Sequence, residues 1–237
     1  MLNRTIHFDN IASSYDEQIP AHIREYLLVK KTRLSVKTLK KYGITKGKGI
    51  DLGCGTGWYL KNISEFGYQM FGIDSSGLLV KEARQHNTSN GVLIETGDIL
   101  NLKFAPESFD FVYCINSLHH LKNDLELDTA FSEIHRILKK GGIFILHELN
   151  VFYLFRLYLN YIFPLINKID KFGGENWIHP RKLRKQRLFE VKELYYYTFL
   201  PHMIPKSLFW LFCKLNNFLE RISLRKLGVH YMAVLKK

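Results

Sequence analysis

Asp51-Leu52-Gly53-Cys54-Gly55-Thr56-Gly57 places three glycines between a short apolar run and a helical pattern. Glycine lets the chain turn tightly and lets a ligand approach the backbone. The N-terminus of the helix that follows offers unpaired N–H groups. Such a turn can also serve plain packing, so its neighbours decide its meaning. Working outward, apolar runs bounded by Gly and Asp alternate with helical patterns from about residue 48. Strands are expected over 49–52, 68–73, 91–95, 109–115 and 143–147, and helices near 57–66, 78–86 and 125–138. The last helix carries Leu127, Ala130, Phe131, Ile134 and Leu138 at helical spacing, and Lys139-Lys140-Gly141 reads as its stop. This alternation implies an α/β chain whose strands pair in parallel through right-handed crossovers, in a doubly wound sheet.

Ligands of such sheets bind beyond the carboxyl ends of the strands, beside the topological switch point. Asp51, Asp74, Asp98, Asn116 and Glu148 stand at those ends and outline one cleft. Asp74 follows the glycine turn by about twenty residues, where a carboxylate can accept hydrogen bonds from both ribose hydroxyls. Asp98, with the Ile99 amide, can meet an adenine edge.

The set DLGCGTG (51–57), GID (72–74), GDI (97–99), FDFVYCINSLHHL (109–121) and LKKGGIFILHE (138–148) resembles a known motif series. It is that of the class I S-adenosylmethionine-dependent methyltransferases, nearest the ubiquinone/menaquinone-biosynthesis type, over roughly residues 10–150. The resemblance implies a Rossmann-like, mostly parallel seven-stranded sheet with an antiparallel last strand and added C-terminal helices. It implies S-adenosylmethionine as cofactor, with the methionine part on Gly53, Cys54 and Gly55, the ribose on Asp74 and the adenine on Asp98. Asp51, Ser75, Ile99 and Asn116 complete the expected cofactor wall. An N-terminal helix should close over it, with Tyr15 of Ala12-Ser13-Ser14-Tyr15-Asp16 as the contact. A nicotinamide dehydrogenase would instead carry Gly-x-Gly-x-x-Gly facing a pyrophosphate. Here the glycines are Gly53, Gly55 and Gly57, and residue 58 is Trp.

Methyl transfer is an in-line displacement on an activated donor, so positioning lowers most of the barrier. A hydroxyl or carbon acid as acceptor needs a base as well. His120, slightly ahead of His119, and Glu148 are the candidates, while His147, among apolar neighbours, reads as a core histidine. Cys54 reads as a small packing residue, because no base lies near it in sequence. Cys54, Cys114 and Cys213 have neither metal-ligand spacing nor a disulfide pattern, which points to a metal-free protein in a reducing, cytoplasmic setting. No secretory signal is read at the start of the sequence.

Charge divides the chain. Residues 1–150 hold 18 Lys and Arg against 17 Asp and Glu, whereas 151–237 hold 16 against 5 and carry 18 of the 33 aromatic residues. We therefore read an N-terminal helical cap over 1–45, a cofactor-binding core over 46–150, and a basic, aromatic-rich part over 151–237. That last part should supply two more strands, near 194–200 and 230–235. Residues 151–169 are apolar but interrupted by Arg156, Asn160, Pro164 and Asn167, unlike the roughly 18 or more uncharged residues of a membrane span. Residues 206–222 place Leu208, Leu211, Phe212, Leu215, Phe218, Leu219 and Ile222 on one helical face. Between these segments Arg181, Lys182, Arg184, Lys185 and Arg187 form a basic cluster. Such helices suit the surface of an anionic bilayer. An internal substrate cap or dimer face ranks next, and nucleic acid last. The expected function is methylation of a small or lipid-linked acceptor (a quinone, an isoprenoid or a lipid-carried sugar), at oxygen rather than carbon. The expected place is the cytoplasm, peripheral at the inner face of the membrane, with the oligomeric state open. The alternatives are a tRNA or rRNA methyltransferase and a non-catalytic S-adenosylmethionine-binding partner subunit.

Overall fold

The strand β4 (Phe109–Ile115) is buried at every residue but Asp110. Its side chains alternate between two cores: Phe111, Tyr113 and Ile115 on one face, Val112 and Cys114 on the other. A strand covered by helices on both faces reads in sequence as a nearly unbroken apolar run. In the computed structural model, residues 8–88, 91–150, 176–199, 204–222 and 226–237 are described. β4 is central to a sheet with β1 (Lys48–Leu52), β2 (Gln69–Asp74), β3 (Leu93–Thr96), β5 (Leu138–Leu149), β6 (Glu190–Tyr197) and β7 (His230–Lys236). The spatial order is β3-β2-β1-β4-β5-β7-β6. The pairs from β3 to β5 are parallel, and β7 runs antiparallel between β5 and β6. This is the mostly parallel, Rossmann-like sheet with an antiparallel last strand that the sequence implies. The order reverses between β1 and β4, so the crevice opens beyond Leu52 and Ile115.

Six helices matter to the site: α1 (Ala21–Lys41), α2 (Trp58–Ser64), α3 (Gly77–His86), α4 (Asp124–Ile137), α5 (Pro180–Lys185) and α6 (Phe209–Leu219). α1, α2 and α3 cover the face of Phe111 and Tyr113 with Val36, Leu39, Leu60, Ile63, Val80 and Ala83. α4 covers the other face with Leu127, Phe131 and Ile134. β1 has little apolar material because Phe111 fills its flank. A Cβ on Gly49 would lie 2.1 Å from that ring.

Two expectations shift. Lys139-Lys140-Gly141 is not a stop between helix and strand, because β5 already begins at Leu138. The register with β4 jumps from Phe109↔Leu138 to Phe111↔Ile143. A left-handed Gly141 (φ +77°) and a 2.6 Å ion pair from Lys139 to Asp110 hold the irregular stretch in the sheet. β6 starts four residues earlier than expected, at Glu190. The apolar stretch 151–169 and the end of the expected strand at Leu200 lie outside the described residues. Among the described residues no helix is long and apolar enough to cross a membrane.

The chain after β3 is tied to α4. Arg136 donates to the carbonyls of Leu102 (2.8 Å) and Phe104 (2.6 Å), while Glu133 accepts from the Leu102 N–H at 2.8 Å. Arg136→Met should therefore lower stability by about 1–3 kcal/mol, each hydrogen bond to a charged group contributing on that order. Urea denaturation checks this, and an unchanged midpoint would contradict it.

Candidate active site

Beyond β1 the chain enters the glycine turn. Gly53 is left-handed (φ +76°), and a Cβ there would lie 2.0 Å from Ser117 Oγ. Glycine is required twice over at this position, by backbone conformation and by close approach. Beyond β4, Asn116 is also left-handed (φ +52°), which costs a non-glycine residue on the order of 1–3 kcal/mol and persists where the surroundings impose it. Its N–H donates to the His147 carbonyl at 2.8 Å, and its side-chain Oδ1 is buried without a partner.

These two strand ends face two adjoining cavities that share Tyr15, Gly53, Gly55, Ile115 and Asn116. The first chamber adds Asp74, Ser75, Asp98, Ile99 and His120. The second adds Asp51, Cys54, Tyr59, Arg24 and Lys31. Each encloses about 130–140 Å³, many times the roughly 10–15 Å³ that one water needs. All ten residues expected on the cofactor wall thus line one cavity or the other.

In the first chamber, Asp74 Oδ2 accepts the Gly55 N–H at 2.9 Å and Oδ1 accepts the Ser76 N–H at 3.0 Å. Burial raises the Asp74 pKa, and the N–H groups of Ser76, Gly55 and Ser75 oppose that shift. Asp98 Oδ1 accepts the Leu100 N–H at 2.9 Å, fixing the turn that presents Ile99. Neither carboxylate uses all its lone pairs on these bonds.

In the second chamber, Asp51 is 2% exposed and its Oδ1 has no hydrogen-bond partner. Burial pushes its carboxyl up to about 8. The Tyr113 hydroxyl beside it, outside strict hydrogen-bond geometry, opposes this, and the charge of Asp74 adds to it. Lys31 is 1% exposed, and among the described residues neither a hydrogen bond nor an ion pair reaches its amine. Burial lowers Lys31 to about 7, against a smaller opposing pull from Glu148. An orphaned acid and an orphaned amine on one chamber suit a ligand end that carries both an ammonium and a carboxylate. The amino-acid end of S-adenosylmethionine is such a group, so the residues present fit the cofactor.

The cap is locked to this wall. Asp16 accepts from Thr56 Oγ1 at 2.9 Å and from Trp58 Nε1 at 2.7 Å. Tyr15, its neighbour in the short 3-10 turn Ala12–Gln18, reaches both chambers. Asp9 accepts from Ser76 Oγ, and Phe8 lies edge-on to His120 with ring centroids 5.1 Å apart.

The histidines separate. His120 lines the first chamber. His119 is buried behind it, with Nδ1 2.6 Å from Glu148 Oε2 and its ring stacked on Trp177. Glu148 is 1% exposed and also accepts the His119 N–H at 3.3 Å. Neither His119 nor Glu148 lines either chamber. His147 is satisfied within the core by Ser35 Oγ (3.0 Å) and Tyr197 Oη (2.7 Å); burial, then the Lys31 charge, keeps its pKa well below the usual range. Lys31, Arg24, Asp9 and Phe8 were missed from sequence. Lys31 leaves one trace there: it stands in the row Ile23, Leu27, Lys31, Ser35, where four-residue spacing puts a lysine on the inward face.

Comparison with known proteins agrees with this arrangement. Residues 50–146 match the methyltransferase domain family. Demethylmenaquinone methyltransferase of Staphylococcus aureus is 29% identical over 203 residues, covering 77% of this chain and 81% of that protein. Sterol 24-C-methyltransferase of Yarrowia lipolytica is 33% identical over 114 residues, covering 46% of this chain but 29% of that protein. The chain thus spans under a third of the length of that sterol relative. A solved S-adenosylmethionine-dependent methyltransferase from Thermotoga maritima shares the fold, with a TM-score of 0.62 at 20% identity and 98% coverage of each chain. Residues 50–146 are a methyltransferase domain of the class I S-adenosylmethionine-dependent type, with S-adenosylmethionine as the domain's cofactor. The likeness to the demethylmenaquinone methyltransferase, a quinone-biosynthesis enzyme, extends over most of both chains.

The Lys31 shift has a definite sign. Between pH 7 and about 10.5 the unfolded chain holds a proton that the folded chain lacks, so this group makes stability rise with pH across that window. Lys31→Met removes the dependence. The variant should melt higher than the parent at pH 7 and below, with the gain shrinking toward pH 10.5. Its affinity for S-adenosylmethionine should fall about tenfold to a hundredfold, as for loss of a charged hydrogen bond. Calorimetric melting across pH and titration with the donor check both halves; a pH-independent gain or an unchanged affinity would contradict the assignment.

Proposed function

We propose that the chain transfers the methyl group of S-adenosylmethionine to a small lipid acceptor, a quinone, an isoprenoid or a lipid-carried sugar. In this reading Asp74 and Ser75 take the ribose, and Asp98 with the Ile99 amide takes the adenine. Gly53, Cys54 and Gly55 line the methionine part, with Tyr15 and Asn116 at the junction of the chambers. Asp51 takes the ammonium, and Lys31, with Arg24 on the same chamber, takes the carboxylate. The observation that carries the proposal is a buried carboxyl and a buried amine in one chamber, Asp51 Oδ1 and the Lys31 amine being without hydrogen bonds among the described residues, joined by a shared wall to the acids of the other.

When bound, the cofactor supplies an activated methyl group on a sulfonium that leaves as a neutral thioether. The chain then has two tasks, alignment and proton removal. His120, on the first chamber, would take the acceptor's proton as its bond to the methyl carbon forms. His119 would act through it, its ring centroid 4.1 Å from that of His120 and its Nδ1 held by Glu148, as a positioning residue. The apolar side chains of Phe8 and Leu121 beside His120 favour an apolar acceptor. The names of the sterol and menaquinone relatives point the same way. Three free cysteines accord with action in a reducing cytoplasm.

Methyl-labelled donor, the purified chain and an extract from cells lacking it test the proposal. Label should collect in the organic phase, and Asp74→Ala should reduce it about tenfold or more, as for loss of charged hydrogen bonds. Label in RNA would replace the lipid acceptor with tRNA or rRNA. Donor binding without label in any fraction would make the chain a non-catalytic subunit. A methoxy product would fit the oxygen acceptor expected from sequence; a C-methyl product would place the chemistry with that in the sterol relatives' name.

A further inference from the structure

α6 turns most of the apolar stripe that its spacing predicts away from the core. Phe209, Phe212 and Cys213 pack on Ile23, Leu27 and Ile204, where Phe209 meets the rings of His22 and Tyr26 edge-on. Asn216 is buried in that contact. It donates to Tyr26 Oη and Glu220 Oε1, both at 2.9 Å, and accepts the Phe199 N–H at 2.6 Å. Glu220 in turn is bound by Lys30. This polar cluster fixes the roll of the helix, since burying Asn216 and Glu220 without partners would cost more than exposing apolar groups.

The roll leaves the opposite side apolar and outward. Trp210 and Phe218 are each 60% exposed, and Leu208, Leu211 and Leu215 are about half exposed. At 100° per residue these five and Lys214 fall within one continuous stripe. Lys214 Nζ lies 4.7 Å from the centre of the Trp210 ring. Lys206 and Arg221 on the same segment are exposed. Within residues 204–222 the one acid, Glu220, is turned inward to Lys30. The face is thus large, aromatic and fringed by cations, and the one acid of its described segment, Glu220, is engaged by Lys30.

We propose that the outward face of α6 docks on the surface of an anionic lipid bilayer. Tryptophan and phenylalanine with leucines on one side of a short helix suit insertion at the headgroup level. Lysine and arginine can extend their charges to the phosphates while their stems cover the apolar stripe. Each basic residue near an anionic surface raises partitioning by about fivefold. The charge pattern selects this occupant over a second copy of the chain, whose own cations would face these. The docking face is one helix away from chemistry, because α1 carries Tyr26 and Lys30 toward α6 and Leu27, Leu28 and Lys31 along the second chamber. α6 is the outer layer of the cap.

The basic cluster foreseen around α5 contributes less. Lys182 is engaged by Asp124 at 2.6 Å and Leu183 is fully buried, so part of that helix serves to seat residues 176–185 on the core.

Co-sedimentation of the full chain with phosphatidylcholine vesicles, with and without phosphatidylglycerol, tests the docking. Binding should need the anionic lipid and weaken with salt, and Trp210→Glu/Phe218→Glu should reduce the bound fraction at least tenfold. Trp210→Phe should remove the blue shift of tryptophan emission on binding. Donor affinity should be unchanged in the double variant, because neither side chain borders the chambers. Absence of vesicle binding, or binding unchanged in the double variant, would overturn the proposal. So would a parent chain that elutes as a dimer and becomes monomeric in the variant, since the face would then join two copies. Vesicle binding with no label in the organic phase would sink the lipid acceptor and leave the docking face standing.

Discussion

The hydrogen bond from the Gly55 N–H to Asp74 Oδ2 joins the turn after β1 to the end of the neighbouring β2 on one side of the crevice. It requires a backbone that turns without side chains, hence the left-handed glycines, and an acid placed where β2 stops. Once made, it sets the height of the glycine turn against Asp74. It also starts α2 at Trp58, so that Trp58 Nε1 and Thr56 Oγ1 both point at Asp16. The cap is closed through that carboxylate, and Tyr15 is brought over both chambers. The same acid thus shapes the place where the ribose is proposed to sit and, through the turn, the place of the lid.

The second constraint is the cost of burying α1 with Lys31 on its inner face. A helix chosen for stability alone would carry Leu or Met there, in line with Ile23 and Leu27. The amine is held instead in a chamber with Asp51, each buried and neither in a hydrogen bond or ion pair with the other. Groups kept in this condition store a penalty that a complementary ligand relieves, and stability is exchanged for binding. The proposed zwitterion cradle makes physical sense of two residues that would otherwise be plain liabilities.

The first five strands were legible because buried parallel strands read as apolar runs, and their ends as the acids and glycines that follow. The resemblance in motif order then supplied the cofactor wall, and every residue named for it borders a chamber. The parts that escaped depend on distant partners. Lys139 and Lys140 look like a helix stop until Asp110 on the neighbouring strand offers a counter-charge. The roll of α6 cannot be read from spacing, because Asn216 turns inward for Tyr26 on a helix about 190 residues away. His119 and His120 are adjacent in sequence, and the short turn Leu118–His120 sends one to Glu148 and the other to the cavity wall. Charge asymmetry marked the C-terminal part as a surface in need of a partner, but not which of its helices would present the apolar face.

The two adjoining chambers are proposed to receive one ligand with adenosine at one end and an amino-acid zwitterion at the other. A crystal structure of the chain with S-adenosylhomocysteine tests this most directly. The ribose hydroxyls should lie on Asp74, the ammonium within hydrogen-bond distance of Asp51 Oδ1, and the carboxylate facing Lys31. An amino-acid end directed away from the second chamber, with Lys31 and Asp51 still unpartnered, would contradict it.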